Sequence, residues 1–135
     1  MLTGSCIHPD LVRVLSLCGH GDKILIADGN YPLASKTGSA EKVYLGLRPG
    51  LPQVTDVLAA IRSLANVEAA HVMQPEDGST PEIFGAFETM LDGVKLQPLG
   101  RYAFYEACSQ PEVRLAVSTG EGRTFANLLI TVGVS

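Results

Sequence analysis

Residues 19–32 read Gly-His-Gly-Asp-Lys-Ile-Leu-Ile-Ala-Asp-Gly-Asn-Tyr-Pro. Ile24, Leu25 and Ile26 form the short apolar run expected of a strand buried on both faces. Asp28 to Pro32 closes that run, because Gly and Asn tolerate positive φ and Pro has no N–H for a ladder. On the other side, Gly19 stops a helix that opens at His8-Pro9-Asp10 and runs to about Leu17, with Leu11, Val12, Val14, Leu15 and Leu17 apolar. Helix, sharp turn, buried strand and a loop at the strand's carboxyl end make the repeating unit of an α/β sheet.

The pattern repeats downstream. Val43, Leu45 and Leu47 alternate as a half-buried strand, ended by Pro49-Gly50-Leu51-Pro52. Thr55 is the expected cap of a helix with Val57, Leu58, Ile61 and Leu64 on one face. A strand over Val67 to Met73 and a polar turn over Gln74 to Ser79 follow. Thr80-Pro81 then opens a helix whose stripe is Ile83, Phe84, Phe87, Met90 and Leu91. Arg101 to Cys108 reads as a short helix, and Val113–Ser118 and Leu128–Val134 as two closing strands joined by the turn Thr119 to Gly122. The expectation is one α/β domain over residues 1–135, a mostly parallel sheet with helices on both faces.

Composition narrows the function classes. Of 135 residues, 46% are hydrophobic and 18% charged, below the roughly 25% of an average globular chain, which points to apolar surface shared in a homo-oligomer. Ten Lys and Arg residues are scattered and the net charge is −4, which excludes the basic footprint of a nucleic-acid binder. No apolar stretch reaches the roughly 20 residues of a membrane span, and Met1 to Asp10 has neither the basic nor the apolar region of a signal peptide. Cys6, Cys18 and Cys108 are odd in number and far apart, without CxxC spacing, so they read as reduced thiols. A cytoplasmic protein is expected.

The residues able to do chemistry are few. His20 is uncrowded between two glycines, and an imidazole with an ordinary pKa of about 6.5 can move a proton either way near neutrality. The competing reading is a helix cap that interacts with the negative end of the first helix. Asp22 either orients that ring or is simply solvated, and a structural role is the expectation. Cys18 nearby is a conceivable nucleophile, though a Cys on an apolar helix stripe usually packs. Asp28 stands where ligands bind in open α/β sheets, outside the carboxyl end of a strand, and its alternative is an Asx-turn. His8, His20 and His71 show no HxxxH or HxH spacing, so no metal is expected. Dinucleotide, phosphate-loop and nucleophile-elbow motifs are missing, so no cofactor is expected either. Late in the chain, Arg101-Tyr102-Ala103-Phe104-Tyr105-Glu106 places Arg101 and Tyr105 at i, i+4 and the two tyrosines on one face. In Arg123-Thr124-Phe125-Ala126-Asn127, the Asn amide offers a hydroxyl both a donor and an acceptor.

Together these segments resemble the ribose pyranase and fucose mutarotase family. The matching pieces are Gly19-His20-Gly21-Asp22, the strand ending in Ala27-Asp28, Asn30-x-Pro32, the stretch Arg101 to Glu106, Thr119-Gly-Glu121, Phe125-Ala126-Asn127 and the terminal Gly133-Val134, in the family's order over nearly the whole chain. The Arg101 to Glu106 stretch is similar to that of the fucose branch. The resemblance implies a cofactor-free enzyme that interconverts anomers or ring forms of a monosaccharide and assembles into a decameric ring. It implies His20 as proton donor, with Asp28, Arg101, Phe125, Ala126 and Asn127 on the sugar and Asp22, Tyr105 and Glu106 in support. One departure stands out, since Phe125 occupies the position where the family has Tyr. The ring face is kept and the phenol is lost, so, where that hydroxyl takes part in proton transfer, three outcomes follow: a slower enzyme, one that recruits Tyr102 or Tyr105, or a chain that only binds sugar. A non-catalytic sugar-binding or transport-associated protein is therefore the alternative, and a ring-forming protein with a relict pocket a third reading.

Overall fold

The computed structural model describes residues 1–135. Its elements are α1 (Pro9–Leu17), β1 (Lys23–Ala27), β2 (Glu41–Tyr44), α2 (Val54–Arg62), β3 (Val67–Met73), α3 (Ile83–Met90), β4 (Leu96–Leu99), α4 (Arg101–Cys108), β5 (Val113–Ser118) and β6 (Leu128–Val132). The strands form one sheet in the order β2-β5-β1-β6-β3-β4. Every neighbouring pair is parallel except those made by β6, which runs antiparallel between β1 and β3. The sheet is thus mostly parallel, with helices on both faces.

Period-2 alternation divides the core. Ile24, Ile26, Leu115, Val117, Leu128 and Ile130 face one layer with Leu11, Val14, Leu58, Ile61 and Phe87 from the first three helices. Leu25, Ala27, Ala116 and Leu129 face the other with Phe104 and Cys108 of α4 and with Tyr31 and Leu33 of the long β1–β2 loop. All of β6 and nearly all of β1 are buried, as strands covered on both sides must be.

Several boundaries differ from the sequence reading, each for a tertiary reason. α2 begins at Val54 and not after Thr55: the Gln53 N–H donates to Asp56 Oδ2 at 2.8 Å, and the Val54 N–H points to the Glu121 carboxylate at 3.4 Å. Leu64 lies past the helix end and is 51% exposed. Thr80-Pro81 does not start α3 directly, because Phe84 and Gly85 first donate to Pro81 and Glu82 in tight i→i+3 turns. β2 stops at Tyr44, and Leu47 turns outward into a bridge between Arg48 and Leu51. β4 carries no sequence signal. It is a four-residue edge strand containing Pro98, a residue that only an edge tolerates. The two closing strands do not pair with each other, since β1 lies between β5 and β6, and the last of them ends at Val132.

Candidate active site

Reversal of β6 builds the site. The carboxyl ends of β1, β3, β4 and β5 share one edge of the sheet, and an antiparallel β6 brings its amino end, Asn127, to that same edge. Asn127 Oδ1 accepts the Asp28 N–H at 2.8 Å, which joins the start of β6 to the end of β1. Asp28 Oδ1 accepts the Asn30 N–H at 2.9 Å, an Asx-turn that also aims the carboxylate. The loop before β6 is strapped from below. Thr119 Oγ1 donates to the Ala27 carbonyl at 2.7 Å and accepts the Glu121 N–H at 3.1 Å. Buried Glu121 takes three hydrogen bonds from Arg123, two from the guanidinium at 2.8 and 3.0 Å and one from the backbone N–H at 3.2 Å. Gly120 has no alternative, because a Cβ there would stand 2.4 Å from the carbonyl oxygens of Arg48 and Leu51. Phe125 leaves the strap at φ 59°, a left-handed conformation rare for an aromatic residue and found mostly where surrounding structure enforces it.

These elements enclose a cavity of about 240 Å³. Asp28, Asn30, Arg101, Thr124 and Asn127 give it hydrogen-bonding groups, and Tyr31, Met73, Tyr105 and Phe125 give it apolar walls. Burial pushes the Asp28 carboxyl above the usual aspartate range, opposed by the N–H groups of Asn30, Ala126 and Tyr31 and by the Asn127 side chain. Ala126 is fully buried and serves through its backbone. Arg101, at the first turn of α4, is exposed and has no ion-pair partner within the chain. Of the phenols, Tyr31 donates to the Lys36 carbonyl at 2.9 Å, and Tyr102 is 77% exposed, outside the cavity. Tyr105 lines the cavity with no hydrogen-bond partner for its hydroxyl, its ring edge-on to Tyr31 at 5.4 Å. Glu106 faces solvent outside it.

His20 is not in this cavity. It precedes β1 and therefore lies at the opposite end of the sheet, on the order of 15 Å away given ~3.3 Å per strand residue. There its Nε2 meets both carboxylate oxygens of Glu68, at 3.0 and 2.9 Å, beside a second cleft of about 310 Å³ lined by Cys18, Arg62, Asn66 and Gly133. Asp22 accepts the Gly19 N–H at 2.8 Å and closes the turn, leaving the ring to Glu68. The Cys18 thiol is pushed up by burial and then by Asp22, the opposite of an activated nucleophile. No group of three His, Cys, Asp or Glu side chains is arranged to hold a metal. Sequence reading does not find Tyr31, Met73 and Thr124, which line the first cavity, or Glu68, which meets His20. Glu68 is 48 positions from His20, and its only local signal is an outward position on a strand.

The Glu121–Arg123 pair supports a test. Arg123, and then burial in opposition, holds the Glu121 carboxyl below its usual value. A depressed acid contributes stability above its unfolded pKa of about 4.3, and that contribution is lost as pH falls through the lower folded value. Glu121→Gln should cost roughly 1.5–3 kcal/mol at pH 7, the worth of hydrogen bonds to a charged group, and less toward pH 3. Urea midpoints at the two pH values check this, and equal losses at both would refute it.

Over residues 1–135 the chain matches the RbsD / FucU transport protein family. It belongs to that family. A D-ribose pyranase of Paracidovorax citrulli is 34% identical, covering 96% of this chain and 95% of its own. A fucose mutarotase of Danio rerio is 33% identical, covering 96% of this chain and 90% of its own. The solved structure of Bacillus subtilis RbsD complexed with D-ribose superposes with a TM-score of 0.84 at 25% identity, covering 100% of this chain and 99% of its own. Both named activities are isomerisations, and this RbsD / FucU chain is an isomerase. No helix in it is long and apolar enough to cross a membrane.

Proposed function

We propose that this RbsD / FucU chain is a cofactor-independent monosaccharide mutarotase that opens and recloses a sugar ring by acid–base chemistry, with L-fucose ahead of D-ribose. The observation that carries this is the cavity at the strand ends. It sets a carboxylate, a guanidinium and a carboxamide against aromatic walls, and its 240 Å³ is below the roughly 300–1,000 Å³ of drug-sized sites. That space suits one sugar ring. The Arg101 to Glu106 stretch and the apolar wall of Met73 and Phe125, fit for a methyl group, favour the 6-deoxy sugar. Identities of 34% and 33% to the two kinds of relative do not separate them.

Ring opening breaks the bond between the anomeric carbon and the ring oxygen. The ring oxygen gains a proton, the anomeric hydroxyl loses one, and the open-chain carbonyl turns before the ring recloses. For a spontaneous opening on the order of minutes, a turnover of ~10 per second needs roughly 10⁴-fold acceleration, about 5–6 kcal/mol. One or two acid–base groups worth ~10²–10⁴ each suffice. In this reading His20 supplies one of them from a second copy of the chain, because its own cavity lies at the other end of the sheet. Exposed Leu17, Leu64 and Val134 near His20, and exposed Tyr102 beside Arg101, supply the apolar surface such a contact needs. Repeated head-to-tail, this contact closes a ring, and a decamer of two stacked rings is the assembly we favour. Its three free thiols suit the reducing cytoplasm.

The decisive experiment is exchange NMR at the anomeric protons of L-fucose and D-ribose, with and without protein. Faster exchange for one sugar supports the mutarotase. Saturable binding with exchange at the buffer rate supports the alternative, a non-catalytic binder, which the missing phenol at Phe125 favours. No binding at all leaves only a structural role.

A further inference from the structure

We infer that Glu68 is the positioning residue of His20, holding its imidazole in one tautomer and orientation, and that Gly133 is glycine to leave room for that carboxylate. The inference rests on the reading of His20 as the proton-transfer group. Both oxygens of Glu68 lie within 3.0 Å of Nε2, so this nitrogen carries the proton and Nδ1 is left free to face a ligand. His20 is 58% and Glu68 44% exposed. Exposed ion pairs contribute about 0–1 kcal/mol to stability, so the fold does not explain the pairing. The nearer carboxylate in sequence, Asp22, is committed to the Gly19 N–H. The chain's penultimate segment completes the arrangement. A Cβ on Gly133 would stand 3.1 Å from Glu68 Cβ and 3.6 Å from its Oε2, while the Gly133 N–H donates to the Asn66 carbonyl and pins the two segments together. A fixed carboxylate behind an imidazole selects its tautomer and stabilises the imidazolium formed when it takes a proton.

The test combines imidazole ¹⁵N NMR with anomer-exchange rates. In the wild-type protein the neutral His20 ring should be the Nε2–H tautomer. In Glu68→Ala its signals should move to the mixture of a free histidine, exchange should slow ~10–100-fold, the range for losing a carboxylate behind a working imidazole, and Tm should hold. Glu68→Asp should restore part of the rate, and Gly133→Ala should reproduce the tautomer change in milder form. In a His20→Ala background, Glu68→Ala should slow exchange no further, because it acts through the ring. Unchanged His20 signals in Glu68→Ala would overturn the pairing whatever the activity. A further slowing of His20→Ala would overturn its action through His20. A wild-type protein that does not accelerate exchange would remove the reading beneath it, and the positioning role with it, even where the tautomer moves.

Discussion

His20→Ala is expected to reduce anomer exchange by ~10²–10⁴-fold, the worth of one acid–base group, with an unchanged fold. The turn it sits in is built from Gly19, Gly21 and Asp22: the Gly21 N–H donates to Val132 and Asp22 holds Gly19, and neither bond uses the imidazole. Sugar binding at the Asp28 cavity should survive, because that cavity is lined without His20. The same geometry makes a stronger prediction. If each site joins the His20 end of one copy to the Asp28 end of another, mixing and reassembling His20→Ala with Asp28→Asn should regenerate intact sites. About a quarter of wild-type activity should return, the share of random heterologous interfaces that pair two intact halves. No recovery on mixing would sink the shared site, and full activity in His20→Ala would sink the assignment of His20.

Asp28→Asn should weaken sugar binding, and activity with it, while making the protein more stable. Its carboxylate is the only anionic acceptor in the cavity, and exchanging it for an amide removes charge-assisted hydrogen bonds to sugar hydroxyls worth roughly 1.5–3 kcal/mol, about 10–150-fold in affinity. Stability moves the other way. Burial raises the folded-state pKa, so this group's contribution is fully present below the unfolded value of about 3.9 and is lost as pH rises through the raised folded one. At pH 7 the ionised side chain therefore costs the fold something that asparagine does not. Thermal melts should show a higher Tm for Asp28→Asn at pH 7 and a difference that shrinks toward pH 3. A lower Tm at pH 7 would mean that the N–H groups of Asn30, Ala126 and Tyr31 outweigh burial, and undiminished sugar binding would remove Asp28 from the site. The expected trade of stability for activity is the usual mark of a charge kept buried for a ligand.

What the sequence alone determines here is what local chemistry controls. The apolar run Ile24 to Ile26, the helix stripes, and the Gly and Pro breaks state the α/β class and most of the elements, because burial and backbone freedom are properties of neighbouring residues. Ordered motifs place Asp28, Arg101 and Asn127 among the candidates, and the cavity brings all three together. Long-range pairing decides the rest. β4 is invisible because an edge strand with Pro98 has no periodicity to read, and α2 begins two residues early, where a glutamate 67 positions away meets Val54. The antiparallel insertion of β6 between β1 and β3 brings Asn127 to Asp28. That same topology separates His20 from Asp28, although they lie eight positions apart in sequence, because a strand that carries the chain from one to the other is straight and spans the sheet.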